Sequence, residues 1–354
     1  MQDDRVNEID LLRFLAALSV VFFHYSFRGY AADSLSVMPY PMLAPVSKYG
    51  YFGVELFFMI SGFVILMTAA SGSLRGFIVS RIVRLYPAFW ACCTITFVIT
   101  IAVGAPRYFA SFGQYLANMT MLSGFFNVPS IDGVYWSLFV EIRFYLMVAV
   151  LLTFGMIEKA QIFIVGWIIC SILLEIFPVE RLQTLLITEY SPYFAAGATY
   201  FLIWKNGFSA ARIATISTAW GLAVYQSLRG LKGFVAHFHT DMNGWIVAMI
   251  VTTFFVVMLL VALRRTGLFG RTRWLLLGSL TYPLYLLHQH IGYIVFNAAY
   301  PAINKHLLFW GTIMAVVALA HAVHVLIEKP ISSPMKAALN RLSDRVQRLA
   351  LRSN

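Results

Sequence analysis

Long apolar segments recur along the whole chain and are separated by short polar loops. Ten of them have about the 17–25 residues that an α-helix needs to cross the hydrocarbon core of a bilayer. They run near residues 9–27, 50–70, 87–104, 134–155, 160–178, 187–204, 210–228, 244–263, 275–297 and 307–327. This pattern predicts an all-α fold, a polytopic membrane helix bundle of about ten spans.

One further apolar stretch, residues 109–128, is broken by Gly113 and Gly124 and is followed by Pro129. We interpret it as an interfacial or re-entrant piece and not as a span. Asp132 comes directly before the next predicted helix. A carboxylate at this place accepts hydrogen bonds from the first free N–H groups of a helix, so Asp132 is a candidate N-cap.

The composition supports the membrane class. Hydrophobic residues make up 60% of the chain and charged residues 12%, and the mean hydropathy is +0.77. Soluble domains carry about 25% charged residues. A soluble fold of 354 residues needs more polar surface than this chain supplies, so membrane lipid must cover much of the exterior.

The net charge of +11 sits in short loops and at the C-terminal end. That distribution fits a membrane face better than a nucleic-acid partner, which we do not expect. If the N-terminus is cytoplasmic, 17 Lys and Arg residues, Arg5 among them, lie on the cytoplasmic side and 7 on the opposite side. This bias predicts that both termini are cytoplasmic. Residues 1–334 would form the transmembrane domain, and residues 335–354 a basic cytoplasmic tail along the inner leaflet.

Three ionisable residues share the first predicted span, where a charged group costs about 2.5–3.5 kcal/mol at mid-bilayer. Asp10 and Arg13 are three residues apart and can neutralise each other. His24 lies on nearly the same helix face as Arg13. It is about 21 Å along the helix axis from Asp10, which places it toward the outer half of the membrane. A lone buried histidine is most often structural, but an ionisable neighbour on the same helix face, here Arg13, favours a functional role for His24.

Arg81 and Arg84 lie three residues apart, just before Tyr86 and Pro87, at the predicted cytoplasmic start of the third span. Two guanidinium groups on one helix face can clamp a phosphate. The alternative interpretation is an ordinary positively charged anchor at the inner face.

Polar side chains align on one face of several later spans. The stripes consist of Ser137, Glu141 and Tyr145; of Thr281, Tyr285 and His288; and of His321, His324 and Glu328. Glu55 adds a carboxylate to the second span. Hydrogen-bonded packing between helices explains any one stripe alone. Together with the first span, these stripes make four polar-faced helices, which favour an interior that holds water or substrate.

Six motifs follow one another in a recognisable order from Asp10 to Pro330. They are Arg13 followed after ten residues by His24; Gly53 with Phe57-Phe58 and Ser61-Gly62-Phe63; Arg81-x-x-Arg84; Trp136-Ser137-Leu138-x-x-Glu141-x-x-Phe144-Tyr145; Tyr282-Pro283-x-Tyr285-Leu286-x-His288; and Glu328-Lys329-Pro330. Together they resemble the acyltransferase-3 family of bacterial membrane O-acyltransferases, which modify O-antigens, exopolysaccharides, Nod factors and peptidoglycan.

The resemblance implies a ten-helix enzyme of the bacterial inner membrane. It would move an acyl group, usually acetyl from acetyl-CoA, onto a sugar hydroxyl of an extracytoplasmic glycan or lipid-linked glycan. No metal is expected to take part. Some relatives carry a further extracytoplasmic esterase-like domain, and from the length of this chain we expect it to lack one.

In this interpretation the catalytic residues are His24, Asp10 and Glu141. His24 either acts as a general base toward the acceptor hydroxyl or forms a covalent acyl-histidine intermediate, and the sequence leaves both open. Asp10, Glu55 or Glu141 would orient His24 or tune its proton affinity.

The donor-binding residues are expected at the cytoplasmic side and in the bundle interior. Arg81 and Arg84 would hold the phosphates of CoA, and Arg13 would complete that site or only neutralise Asp10. The remaining candidates are Ser61 and Tyr285, as hydrogen-bond donors to the thioester oxygen, and His288.

A transporter of protons or a small solute is the main alternative, because intramembrane histidine and glutamate also serve transport. No inverted repeat is evident in the sequence, however. A paired arginine clamp also calls for a phosphorylated ligand, which the transporter interpretation does not supply. A structural scaffold leaves the aligned ionisable residues unexplained. The sequence therefore favours a membrane O-acyltransferase.

Overall fold

The computed structural model describes residues 6–70 and 72–352, and no β-strand occurs among them. Eleven helices in this described part have 16 residues or more. They are α1 (Asn7–Phe23), α2 (Gly53–Ala70), α3 (Leu74–Val103), α4 (Trp136–Thr153), α5 (Ala160–Ile176), α6 (Ser191–Asn206), α7 (Ala210–Phe238), α8 (Gly244–Ala262), α9 (Leu275–Ala299), α10 (Lys305–Val323) and α11 (Lys329–Arg352). The all-helical prediction is confirmed.

Short helical elements connect or extend the long helices. They are helices at Gly29–Ala31, Ala44–Ser47, Phe112–Met119, Glu180–Leu185 and Leu268–Arg271, 3₁₀ turns at Gly50–Phe52, Ser123–Phe126, Gly133–Tyr135 and Ile157–Lys159, and π-helical turns at His24–Arg28 and His324–Glu328. The first π-helical turn continues α1, and the second joins α10 to α11. Such wide turns occur often at functional sites, and each of these contains a residue of the predicted motifs.

Seven helical segments of the described residues are long and apolar enough to cross a membrane. They are Asn7–Ala31, Gly50–Ala70, Leu74–Val103, Gly133–Thr153, Ile157–Ile176, Gly244–Ala262 and Lys305–Leu349. The prediction of a multi-pass membrane protein is confirmed, while the count of ten spans and the cytoplasmic termini stay predictions. The other predicted spans correspond to α6, α7 and α9. Of these, α6 has only 16 residues, and α9 carries buried polar side chains such as His288 and Gln289.

The third long helix begins earlier than the sequence pattern predicted. The apolar segment was expected from residue 87, but α3 begins at Leu74 because the Ser73 side chain accepts a hydrogen bond from the Gly76 amide at 3.2 Å. Pro87 lies inside the helix. As a result, Arg81 and Arg84 lie about two and three turns into α3 and not at its first turn.

The C-terminal helix α11 runs through the predicted domain boundary at 334/335 without interruption. It docks on α3, where the Arg75 guanidinium donates to the Asp344 carboxylate and to the Asn340 carbonyl oxygen, both at 2.6 Å. The predicted tail therefore packs on the bundle at these residues. Its last residues, 353–354, and Arg5 of the charge count lie outside the described residues.

The most extensive helix pair consists of α2 and α6. A Cβ on Gly197 would lie 1.8 Å from the Met59 carbonyl oxygen, and one on Gly62 would lie 2.1 Å from the Phe194 carbonyl oxygen. Such distances leave no room for a methyl group. Small residues at helix interfaces allow the close backbone approach that stabilises membrane bundles.

We expect Gly197→Ala to destabilise the protein by about 1–3 kcal/mol, because α2 and α6 must separate to admit the methyl group. Thermal unfolding in detergent measures the change. Gly221→Ala is the matched control, since no described atom outside its own stretch of helix lies within 4 Å of a Cβ at that position. There, alanine should be neutral or stabilising by about 0.5–1 kcal/mol. Equal unfolding temperatures for the two variants would contradict the close packing.

Candidate active site

Helices α1 and α9 lie against each other, and two glycines of α9 bring them close. A Cβ on Gly278 would lie 2.5 Å from the Asp10 carboxylate, and a Cβ on Gly292 would lie 2.2 Å from the Tyr25 ring. The Tyr25 hydroxyl in turn donates to the main-chain carbonyl oxygen of His288 at 2.7 Å. This packing fixes the register of α9 on α1 and brings a histidine from each helix into contact.

The two histidines form a buried pair. His24 opens the π-helical turn at the end of α1 and is 5% exposed, whereas His288 in α9 is fully buried. Nδ1 of His24 lies 2.9 Å from Nε2 of His288 and 3.0 Å from the carbonyl oxygen of Val20. Nδ1 of His288 lies 2.8 Å from the carbonyl oxygen of Tyr285.

These contacts determine where the hydrogens of the neutral pair sit. A carbonyl oxygen only accepts, so Nδ1 of His288 carries the hydrogen toward Tyr285, and Nε2 of His288 is an acceptor. Nδ1 of His24 must then donate, both to His288 and to the Val20 carbonyl oxygen. The two constraints on His24 agree. They leave Nε2 of His24 without a hydrogen, which is the form that a general base requires.

A cavity of about 100 Å³ lies beside the N-terminal half of α1, and we call it the arginine cavity. Its polar lining comes from α1, α2, α3, α4 and α9. It includes Arg13, Arg81, Arg84, Ser61, Glu141 and Tyr285. Three guanidinium groups against one carboxylate in this lining make the cavity attractive to anions.

The α10–α11 junction holds one of these arginines in place. The Arg84 guanidinium donates to Glu328 at 2.6 Å, and the same carboxylate is 2.9 Å from Nδ1 of His324. Glu328 lies in the second π-helical turn and is 5% exposed. Arg81 has no such acidic partner among its described contacts and lies over the Tyr145 ring, 5.9 Å from the centroid.

The hydroxyl groups of the arginine cavity are also engaged. Ser61 of α2 donates a short hydrogen bond to the Glu141 carboxylate of α4. The Tyr285 hydroxyl lies 2.8 Å from Oγ of Ser137. Glu141 is thereby tied to the arginine cavity and not to the histidine pair.

A second cavity, of about 350 Å³, lies beside the C-terminal end of α1, and we call it the histidine cavity. Its lining includes His24, Arg28, Glu55, Trp136, Tyr190 and Gln226. Val54 and Tyr285 line both cavities. The two cavities are therefore neighbours that share a wall, with Arg13, Arg81 and Arg84 on one side and His24 on the other.

The structure brings most of the sequence-predicted site residues to these cavities. Arg13, Arg81, Arg84, Ser61, Glu141 and Tyr285 share the arginine cavity, and His24 lies at the histidine cavity. His288 lines neither cavity and lies behind His24. Asp10 lies near the start of α1, beside α9, about 21 Å along the helix axis from His24. Of the three carboxylates considered as partners of His24, Glu55 is the one that shares its cavity.

Sequence reasoning missed the contact between the two histidines. They are 264 residues apart, and no local spacing links them. The only signal was the polar stripe of α9, which marked His288 as facing the interior.

The start of α4 is tied to α9 next to this site. Asp132 accepts a hydrogen bond from the Val134 amide at 3.1 Å, which confirms it as the N-cap of the turn that leads into α4. It also accepts from the His290 amide at 3.0 Å. Burial alone would raise the pKa of the Asp132 carboxyl, but electrostatic attraction and hydrogen bonding from the neighbouring His290 lower the pKa below its ordinary value. Asp132 therefore stays ionised as it joins the two helices.

The chain is similar to known proteins over most or part of its length. A family model described as an acyltransferase domain matches residues 6–327. Nodulation protein 10 of Rhizobium leguminosarum bv. viciae is 30% identical over 168 residues, which are 41% of this chain and 44% of that protein. The match thus spans less than half the length of this curated relative. No solved structure matches the chain.

Proposed function

Since the chain belongs to the acyltransferase-3 family, a family of membrane acyltransferases, we propose that it transfers a short acyl group, in the first instance acetyl from acetyl-CoA, to a hydroxyl of an extracytoplasmic glycan. Its place would be the inner membrane of a bacterium. The observation that carries the proposal is the pair of adjoining cavities, which share Tyr285 and Val54. A donor on the arginine side and an acceptor on the histidine side would meet at this wall.

The arginine cavity suits an acyl-CoA. With a volume of about 100 Å³, it is too small for a whole acyl-CoA, so only the thioester end of the donor would enter it. The Arg84 side chain is 36% exposed, so part of it is accessible to a phosphate of the donor. One arginine guanidinium can bind two phosphate oxygens at once, which favours Arg81 and Arg84 as the phosphate-binding residues.

Tyr285 is the better candidate for stabilising charge on the thioester oxygen. The Ser61 hydrogen is donated to a carboxylate, that of Glu141, whereas the described hydrogen-bond partners of the Tyr285 hydroxyl are neutral: Ser137 and, at 3.4 Å, the Val134 carbonyl oxygen. Tyr285 also lines both cavities. A donor at the point where the negative charge develops lowers the barrier of acyl transfer.

His24 supplies the base in this proposal. Its unprotonated Nε2 takes the proton of the acceptor hydroxyl while the oxygen attacks the acyl carbon, so a C–O bond forms. The C–S bond then breaks, and His24 returns the proton to the departing sulfur. His288 holds the Nδ1 hydrogen of His24 throughout, and the hydrogen bond between them strengthens when His24 is charged.

The direct test uses the purified full-length protein in nanodiscs with labelled acetyl-CoA and lipopolysaccharide or a crude exopolysaccharide as acceptor. We expect label to enter the glycan and alkali to release it as acetate, which is the behaviour of an ester. Protein that binds CoA but transfers no label to any glycan acceptor would contradict the proposal.

We expect the double variant Arg81→Ala, Arg84→Ala to raise the KM for acetyl-CoA at least about ten-fold, with a much smaller change in kcat. Each charge-assisted hydrogen bond lost is worth about 1.5–3 kcal/mol, and a uniform loss of binding appears in KM. Initial rates over a range of donor concentrations measure it. The control is Arg341→Ala, Arg345→Ala, which removes the same charge from exposed positions on α11. If both double variants have the wild-type KM, the arginines do not bind the donor.

A further inference from the structure

Three residues that line the histidine cavity each carry a buried polar atom that has no hydrogen-bond partner among the described residues. These atoms are Nε of Arg28, Oε2 of Glu55 and Oε1 of Gln226. Each unsatisfied buried polar atom costs about 1–3 kcal/mol, and native proteins rarely collect several of them in one place. One donor and two acceptors on residues round one cavity are left to pair with the hydroxyl groups of a ligand once these side chains turn toward it.

Much of the rest of the cavity lining is aromatic. Trp136 and Tyr190 lie next to each other with ring centroids 5.6 Å apart, and Tyr51 lies farther along the lining. A sugar ring has apolar C–H faces and a polar rim of hydroxyls. Aromatic faces together with a few placed polar groups match both of these surfaces.

A second space continues from the histidine cavity. This polar groove has a volume of about 510 Å³ and shares Trp136, Glu189 and Tyr190 with the cavity. Its further lining includes Glu180 and Arg143. Together the cavity and the groove are larger than a single sugar ring requires.

We infer that the histidine cavity is the subsite for the sugar ring that receives the acyl group, and that the polar groove holds neighbouring sugars of the same chain. Glu55 and Gln226 accept hydrogen bonds from hydroxyls of the reacting ring, and Arg28 donates to one of its oxygens. Trp136 and Tyr190 form the passage between the two subsites. This inference rests on the proposed function and assigns acceptor-binding residues to it.

The experiment measures how the acyl group is partitioned between sugar and water. Wild-type protein receives labelled acetyl-CoA together with the methyl glycosides of glucose, galactose and N-acetylglucosamine, or with the corresponding tetrasaccharides. Labelled sugar and free labelled acetate are then quantified. A defect on the donor side lowers both products equally and leaves their ratio unchanged, whereas a defect in sugar binding lowers the ratio.

For the reacting-ring subsite we expect Glu55→Gln to lower the ratio of sugar to acetate at least about ten-fold, which corresponds to about 1.4 kcal/mol. Gln226→Met should act in the same direction. Its control is Gln161→Met, because Gln161 also has an unpartnered buried amide oxygen but lines neither the cavity nor the groove. An unchanged ratio in Glu55→Gln and Gln226→Met would overturn the subsite.

For the groove we expect Glu180→Ala to raise the KM for the tetrasaccharide about three- to ten-fold, the loss of one hydrogen bond, and to leave the KM for the methyl glycoside unchanged. Glu158→Ala, at another exposed carboxylate, should change neither value. Equal effects of Glu180→Ala on both acceptors would remove the groove from the proposal.

Saturation-transfer NMR of the same sugars, without any acyl donor, separates this inference from the proposed function. Sugar binding that Glu55→Gln weakens, in a protein that neither transfers the acyl group to any glycan nor hydrolyses acyl-CoA, would support the subsite and contradict the transferase. Acyl-CoA hydrolysis without sugar binding or sugar transfer would leave an acyl-CoA-using enzyme and overturn the sugar subsite.

Discussion

Replacing His24 with alanine is expected to lower the rate of acyl transfer by about 10²- to 10⁴-fold, the contribution of a positioned general base. The variant loses the only imidazole that lines the histidine cavity among the residues described there. Binding of CoA should persist, since the arginine cavity does not include His24. Single-turnover transfer and CoA binding by calorimetry measure the two properties separately.

His321→Ala is the matched control for this experiment, because His321 is an exposed histidine of α10 outside both cavities. It should retain the wild-type rate. A His24→Ala protein that is monodisperse, binds CoA and transfers acyl groups at the wild-type rate would exclude His24 as the base. Labelled protein trapped in wild type and absent in His24→Ala would instead favour the acyl-histidine route.

The second large effect is expected at His288, which touches neither cavity. His288→Met removes the acceptor for the Nδ1 hydrogen of His24, and we expect kcat to fall about 10²-fold with the KM for acetyl-CoA nearly unchanged. The physical reason is that His24 keeps only the Val20 carbonyl oxygen as an acceptor for its Nδ1 hydrogen, so its tautomer is held less firmly and its charged form is less stabilised. His288→Gln places an amide oxygen near the lost nitrogen and should recover part of the rate.

A structural role alone would not predict this pattern. The decisive readout is the ¹⁵N NMR signal of His24, which distinguishes a protonated from an unprotonated Nε2. Wild type and His288→Gln should show the unprotonated form, and His288→Met should show a mixture of tautomers. If the mixture is absent while the rate falls, His288 does not act by positioning His24.

Much of the fold could be predicted because the apolar segments have the length of membrane spans. The prediction was wrong at the start of α3, because residues 74–86 are too polar to extend an apolar window, although the Ser73 cap starts the helix there. Hydropathy alone does not register such a cap. Asp132 was predicted correctly because a carboxylate before an apolar run is a strong local signal.

The site could be predicted only as separate helix faces. The spacing of Ser61 and Glu141 within their own helices pointed each of them inward, but their mutual hydrogen bond depends on how α2 meets α4. The same holds for His24 and His288, whose contact depends on two glycines that let α9 approach α1. The spacing of polar residues along a helix indicates which face of the helix they share. The distances between residues of different helices depend on how the helices pack, which a single sequence does not show.

The wall that the two cavities share at Tyr285 bears on how the reaction responds to the membrane potential. In the proposed reaction an acyl group leaves one side and the hydrogen of the acceptor hydroxyl arrives there in its place, so the exchange carries no net charge across the bilayer. A membrane potential is worth about 2.3 kcal/mol per elementary charge at 100 mV, and it would neither drive nor oppose this exchange. The reaction would draw only on the energy difference between thioester and ester, and in sealed vesicles its equilibrium should be independent of the applied voltage.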